Sequence, residues 1–170
     1  MADRTGDVTL LDGASLVIGA AVAAAHIRGT FPGDLTGVGW GFVWAVFGGV
    51  SLTAAGPFVY GARRYWRRPL GYPRVGDRLW AILGLPWVLT SPLRSAGSGR
   101  PGELPAVVLV LGLATSCLIA SVVVWKAWVM TDPARGDRPE SGPAPWTDRV
   151  GLALAVASPL QWGFGLAVVS

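Results

Sequence analysis

The chain has 170 residues, of which 52% are hydrophobic and only 14% charged, against roughly 25% charge in a soluble domain. Nearly all the charges lie outside five apolar runs, which excludes an ordinary water-soluble fold and predicts an all-α, polytopic transmembrane bundle of five spans. The net charge of +4 flanks those runs, where cations serve orientation and anionic lipid rather than nucleic acid. Cys117 is the only cysteine, so an internal disulfide and a multi-cysteine metal site are both excluded.

A spanning helix needs about 20 residues, so five spans and their loops occupy the whole of 1–170 as a single membrane domain. The first run, about 10–27, is rich in alanine and follows Thr9-Leu10-Leu11-Asp12. That spacing is a capping box: Thr9 closes the helix start, and Asp12, at the third helical position, satisfies backbone N–H groups at the positive dipole end. Asp12 therefore reads as structural. The competing reading, an ion-coupling carboxylate, calls for deeper burial than a first turn near the interface provides. Ala23-Ala24-Ala25 before His26 looks like a signal-peptide cleavage site, but Asp3, Asp7 and Asp12 outnumber Arg4 ahead of it, so a retained anchor is expected.

His26 is the sole histidine and is expected at the outer interface beside Arg28. One imidazole cannot supply paired axial haem ligands or a His-rich zinc site. Sensing of external pH would need a two-state element besides, so an interfacial side chain without a signalling role is expected. Asp12 cannot be its partner within one helix, since fourteen residues at 1.5 Å rise separate the two by about 21 Å.

The second span, about 39–60, begins with Trp40 and Trp44, ends with Tyr60 and is followed by Arg63, Arg64, Tyr65, Trp66, Arg67 and Arg68. Rings at both ends with arginines beyond one end are the pattern of interfacial anchoring. The third, 79–93, is short for a span and is interrupted by Pro86 and Pro92. A kinked span is expected there, and four spans plus a re-entrant segment is the alternative. The fourth, 106–125, is the most continuous, bounded by Pro105 and Lys126. Residues 131–148 carry four prolines and several acids and read as a proline-rich loop. The last span, 150–169, has Thr147 or Asp148 as its N-cap.

Orientation follows from the cations between spans, because the side retaining Lys and Arg is normally cytoplasmic. With the N-terminus inside, the inner side holds 11 and the outer side 3. The re-entrant alternative reduces the contrast to 9 against 5, so five spans are preferred, with the C-terminus outside.

Arg63, Arg64, Arg67, Arg68, Arg74 and Arg78, in the basic inner loop 61–78, are candidates for holding phospholipid headgroups; the plain alternative is that they only set topology. Small residues recur every four positions: Ser15, Gly19 and Ala23; Gly41, Ala45, Gly49 and Thr53; Gly151, Ala155, Pro159 and Gly163. Such stripes let helix backbones approach closely. Pro57, Pro86 and Pro159 each remove the backbone bond to a carbonyl four residues earlier, those of Thr53, Ile82 and Ala155. Gln161 is the one side-chain amide in a span and, with Ser51 and Thr53, is a candidate for a polar path; a bond between helices is the plainer reading.

No Ser or Cys has a neighbouring His base, no span holds two carboxylates, and no HExxH or phosphate loop is present, so no catalytic residue, metal or cofactor is expected. The pattern predicts a multi-pass protein of a bacterial cytoplasmic (inner) membrane. Its expected role is that of a non-enzymatic accessory or structural subunit acting through helix packing, with itself or in a larger complex, and without nucleic acid. A small transporter or channel subunit with a polar path near Gln161 is the alternative.

Overall fold

A computed structural model describes residues 8–28, 37–66, 74–96, 103–129 and 146–169, with the side chains of Val38, Trp66, Ala96, Glu103, Trp128, Val129 and 158–169 outside the described set. Five α-helices account for nearly all of them: α1 (Leu10–Ile27), α2 (Gly37–Trp66), α3 (Val75–Ala96), α4 (Glu103–Val129) and α5 (Trp146–Val169). No strand occurs among the described residues. α1 and the stretches Gly39–Tyr65 and Leu104–Ala127 are long and apolar enough to cross a membrane.

Successive helices run in opposite directions. Asp12 near the start of α1 meets Arg63 near the end of α2. Gly56 of α2 lies against Trp80 of α3, and Gly84 against Thr53 and Pro57, so α2 and α3 are antiparallel. Gly112 of α4 faces Pro86 of α3, while Ala120 shares a core cluster with Leu79 and Leu83. α5 starts beside the start of α3, where Gly76 and Gly151 touch. One end of the bundle therefore holds the starts of α1, α3 and α5 and the finishes of α2 and α4; it is called here the Asp12 end, and the opposite one the His26 end.

α3 packs on all four other helices and forms the centre of the bundle, whereas α4 touches only α3 and α5 among the described residues. The third segment is one continuous helix of 22 residues, longer than its apolar run of 79–93, and it extends from the Asp12 end to the His26 end. Its prolines are accommodated locally. The carbonyl of Val88, which Pro92 deprives of its helical donor, accepts the Ser91 hydroxyl at 3.0 Å. In α2 the corresponding carbonyl, that of Thr53 before Pro57, is covered by Gly84 of α3, where the absence of a side chain lets the two backbones meet.

Two apolar clusters fill the interior. Val22, Ala23, Val50, Ala54, Trp87, Leu109 and Leu113 join α1 to α4 through α3 towards the His26 end. Ala55, Val59, Leu79, Trp80, Leu83, Ala120 and Leu154 join α2, α3, α4 and α5 towards the Asp12 end. Trp80 holds the second cluster together: its indole N–H donates to the Leu52 carbonyl at 2.7 Å, and its ring meets the Trp146 ring edge-on at 5.6 Å. A buried indole with its N–H satisfied combines a large apolar surface with a directional tie to a neighbouring helix.

The small-residue stripes have unequal fates. In α1, Ser15, Gly19 and Ala23 are all buried, and a Cβ on Gly19 would collide with the Ser51 carbonyl and with Ala55. In α2, Gly41 and Gly49 meet nothing within 4 Å and Ala45 is exposed; only Thr53 of that stripe is buried. The packing face of α2 is instead Val43, Val50, Thr53, Ala54, Ala55, Gly56 and Val59. In α5, Gly151 is buried against Gly76, Ala155 is half-buried, and the side chain of Pro159 and residue Gly163 lie outside the described side chains.

Candidate functional site

The described charged groups of the bundle, and its histidine, collect at its two ends. At the Asp12 end, Thr9 takes the N-cap with extended backbone, and the capping box is complete: Asp12 N–H donates to Thr9 Oγ1 at 3.3 Å, and Thr9 N–H donates to Asp12 Oδ2 at 3.0 Å. The cap turns the carboxylate inward, where its side chain is only 1% exposed. A lone buried carboxylate would carry a large desolvation cost, and it is compensated from α2. Arg63 Nη2 donates to Oδ2 at 3.2 Å and Nε to Oδ1 at 3.4 Å, a two-pronged contact between residues 51 apart in sequence. The same guanidinium lies 5.8 Å from the centre of the Trp146 ring of α5, within the reach of a cation–π contact. One arginine thus joins the start of α1, the finish of α2 and the start of α5.

The starts of α3 and α5 are linked in a related way. Asp77 Oδ2 accepts Arg74 N–H at 3.2 Å, a carboxylate three residues into the helix reaching back as Asp12 does in α1. Asp148 is in the first turn of α5, which begins at Trp146, and its Oδ1 accepts Gly76 N–H at 2.7 Å in a buried contact. The sequence pattern expects Thr147 or Asp148 to cap α5 itself; the structure uses Asp148 to cap the neighbouring helix, because the glycines at 76 and 151 bring the two starts into contact.

At the opposite end His26, in the last turn of α1, is buried within the bundle. It is 3% exposed, because Trp87 and Thr90 of α3 close over the last turn of α1. Its Nε2 is 2.8 Å from the Trp87 carbonyl, a contact that requires the N–H on Nε2, and 3.4 Å from Thr90 Oγ1. The rings of His26 and Trp87 meet edge-on at 5.2 Å. The arrangement ties α1 to α3 at the level of the two prolines of α3.

The sequence candidates are distributed as follows. Arg63 faces the interior and pairs with Asp12; Arg64 and Arg78 are exposed, Arg74 is half-buried, and Arg67 and Arg68 lie outside the described residues. Ser51 Oγ donates to the Phe47 carbonyl at 2.6 Å, and Thr53 Oγ1 to the Gly49 carbonyl at 2.7 Å, each within its own helix. Gln161 lies outside the described side chains. The remaining hydroxyls of α1, α3 and α4, those of Ser15, Thr90, Ser91, Ser95, Thr115, Ser116 and Ser121, likewise bond to carbonyls three or four residues back. No group of three or more potential metal ligands occurs among the described residues.

Sequence reasoning missed the Asp12–Arg63 pair and the cross-capping by Asp148. A usable signal existed for the first, since a carboxylate opening one span and an arginine closing the next lie on the same side once the two are antiparallel. No protein-family model, curated protein or solved structure matches the chain.

Proposed function

We propose that the protein is a five-pass helical bundle of a bacterial cytoplasmic membrane, N-terminus inside and C-terminus outside, that serves as a non-enzymatic accessory subunit and acts through helix packing. Alternating helix direction supports the five-pass reading. Cation placement supports the orientation: Arg63, Arg64, Arg74, Arg78, Lys126 and Arg149 lie at the Asp12 end, against Arg28 and Arg94 at the other.

The observation that carries the accessory role is the position of α4. It is the most apolar of the three candidate spans and also the least buried within the bundle. Leu111, Leu118 and Val122 of α4 are each more than 60% exposed, with Val107, Ile119 and Trp125 also uncovered. Meanwhile the hydroxyls of Ser51 and Thr53 bond to carbonyls of their own helix, and the buried carboxylates bond to helix starts and to Arg63. That favours packing over solute handling, because a transport path calls for polar or ionisable groups turned into a cavity.

Native mass spectrometry of the protein released from its host membrane with surrounding lipid tests this role. Association at fixed stoichiometry, with a second protein or with further copies, is expected, and it should weaken when Leu111 and Leu118 are replaced by alanine. A monomer in every preparation, unaffected by those changes, would contradict the role.

A further inference from the structure

At the Asp12 end the two signs of charge are separated by depth. The three described carboxylates there, Asp12, Asp77 and Asp148, are all at least nine-tenths buried, each accepting a backbone N–H at the start of a helix. Arg63 follows Asp12 into the interior. The remaining cations at the surface of this end, Arg64, Arg78, Lys126 and Arg149, are exposed. Among the described residues, then, the rim is cationic without neutralising acids, although Asp77 and Asp148 immediately precede Arg78 and Arg149 in sequence.

The rim cations also border apolar surface. Arg64 precedes Tyr65, which is 71% exposed, and Lys126 follows Trp125, exposed at the end of the uncovered side of α4. A partner that satisfies both must carry an anion and hydrocarbon in one molecule, with amphipathic rings at the boundary between them. We infer that this rim binds the phosphodiester headgroups of anionic phospholipids through Arg64, Arg78, Lys126 and Arg149, with acyl chains lying along α2 and α4. The inference rests on the membrane reading proposed above. It differs from the sequence expectation in leaving out Arg63, whose guanidinium is engaged by Asp12, the half-buried Arg74, and Arg67 and Arg68, which lie outside the described residues, and in adding Lys126 and Arg149, which lie outside the basic loop.

The test uses the full chain reconstituted in nanodiscs of equimolar phosphatidylethanolamine and phosphatidylglycerol with matched acyl chains, followed by native mass spectrometry of the lipids it retains. Phosphatidylglycerol should be enriched over the bulk ratio, and the preference should fall by about fivefold for each strongly engaged cation removed, reaching the bulk ratio in an Arg64→Gln, Arg78→Gln, Lys126→Gln, Arg149→Gln variant. Arg28→Gln with Arg94→Gln should retain the enrichment. Lysine in place of the three rim arginines should retain most of it, since the side chains are exposed and act as point charges. Stable incorporation without enrichment, or equal loss in the Arg28/Arg94 variant, would overturn the rim as the binding surface. Failure of the wild-type chain to remain with the nanodisc would instead overturn the membrane reading and the rim with it.

Discussion

Asp12 and Arg63 show how a helix cap becomes a tertiary contact. Thr9 and Asp12 are arranged by local geometry, and that geometry aims a carboxylate into the bundle, where only a cation from another helix can compensate it. Removing one partner should therefore cost more than removing both. Asp12→Leu is expected to destabilise the bundle by about 3 kcal/mol, near the low end for breaking a buried pair, because Arg63 keeps 21% of its side chain exposed. The double change Asp12→Leu, Arg63→Leu should recover much of that loss in an unfolding titration in mixed micelles. Additive losses in the double variant would show that the two residues do not interact. The cap was legible in the sequence because its four residues are contiguous. The pair was legible only as far as the shared side of the two residues; their contact depends on the register of α1 against α2, which neither residue records by itself. His26 illustrates the same limit: its place at the end of an apolar run suggested the outer interface, and its burial follows from Trp87 and Thr90, more than sixty residues away.

At the scale of the helices, each of the five apolar runs lies within a helix, but α2 continues through 61–66, α3 begins at Val75 and α5 at Trp146, inside the stretches expected as loops. Spacing of small residues located the contacts only in part. The ends of α1 coincide with the first apolar run because Thr9 provides a sharp start. α3 extends beyond its apolar run at both ends, since Asp77 supports a polar first turn and side-chain hydroxyls satisfy carbonyls around Pro92. The stripe in α1 is a packing face and most of the one in α2 is not, because in a helix this rich in Gly and Ala a four-residue spacing arises on more than one face. The two helices thus separate under substitution. Gly19→Leu should drive the Ser51 carbonyl and Ala55 away and destabilise the bundle by about 3 kcal/mol, at the upper end for overpacking. Gly41→Leu, with open space around it, should change stability by no more than about 0.5 kcal/mol. Both are read by the same unfolding titration; equal effects would contradict the assigned face of α2.

For the whole molecule, the arrangement joins three physical requirements. Antiparallel neighbours place the starts of α1, α3 and α5 at one end; carboxylates satisfy backbone donors at the starts of α1 and α3, the latter receiving one from the first turn of α5; and the cations that remain exposed there face the surface. The excess of cations between alternate spans was legible as charge counting. The division of that charge into buried acids and exposed bases was not, because it requires knowing which way each first-turn side chain turns. The same bundle leaves α4 as its most exposed apolar element, a surface suited to lipid or to another helix.

The direct test of the five-pass arrangement is labelling of single cysteines, in a Cys117→Ser background, by a membrane-impermeant maleimide in intact cells. Ser98→Cys should be labelled from outside, whereas Arg135→Cys should react only after permeabilisation. Labelling of both positions from the same side, or the reverse pattern, would contradict the arrangement.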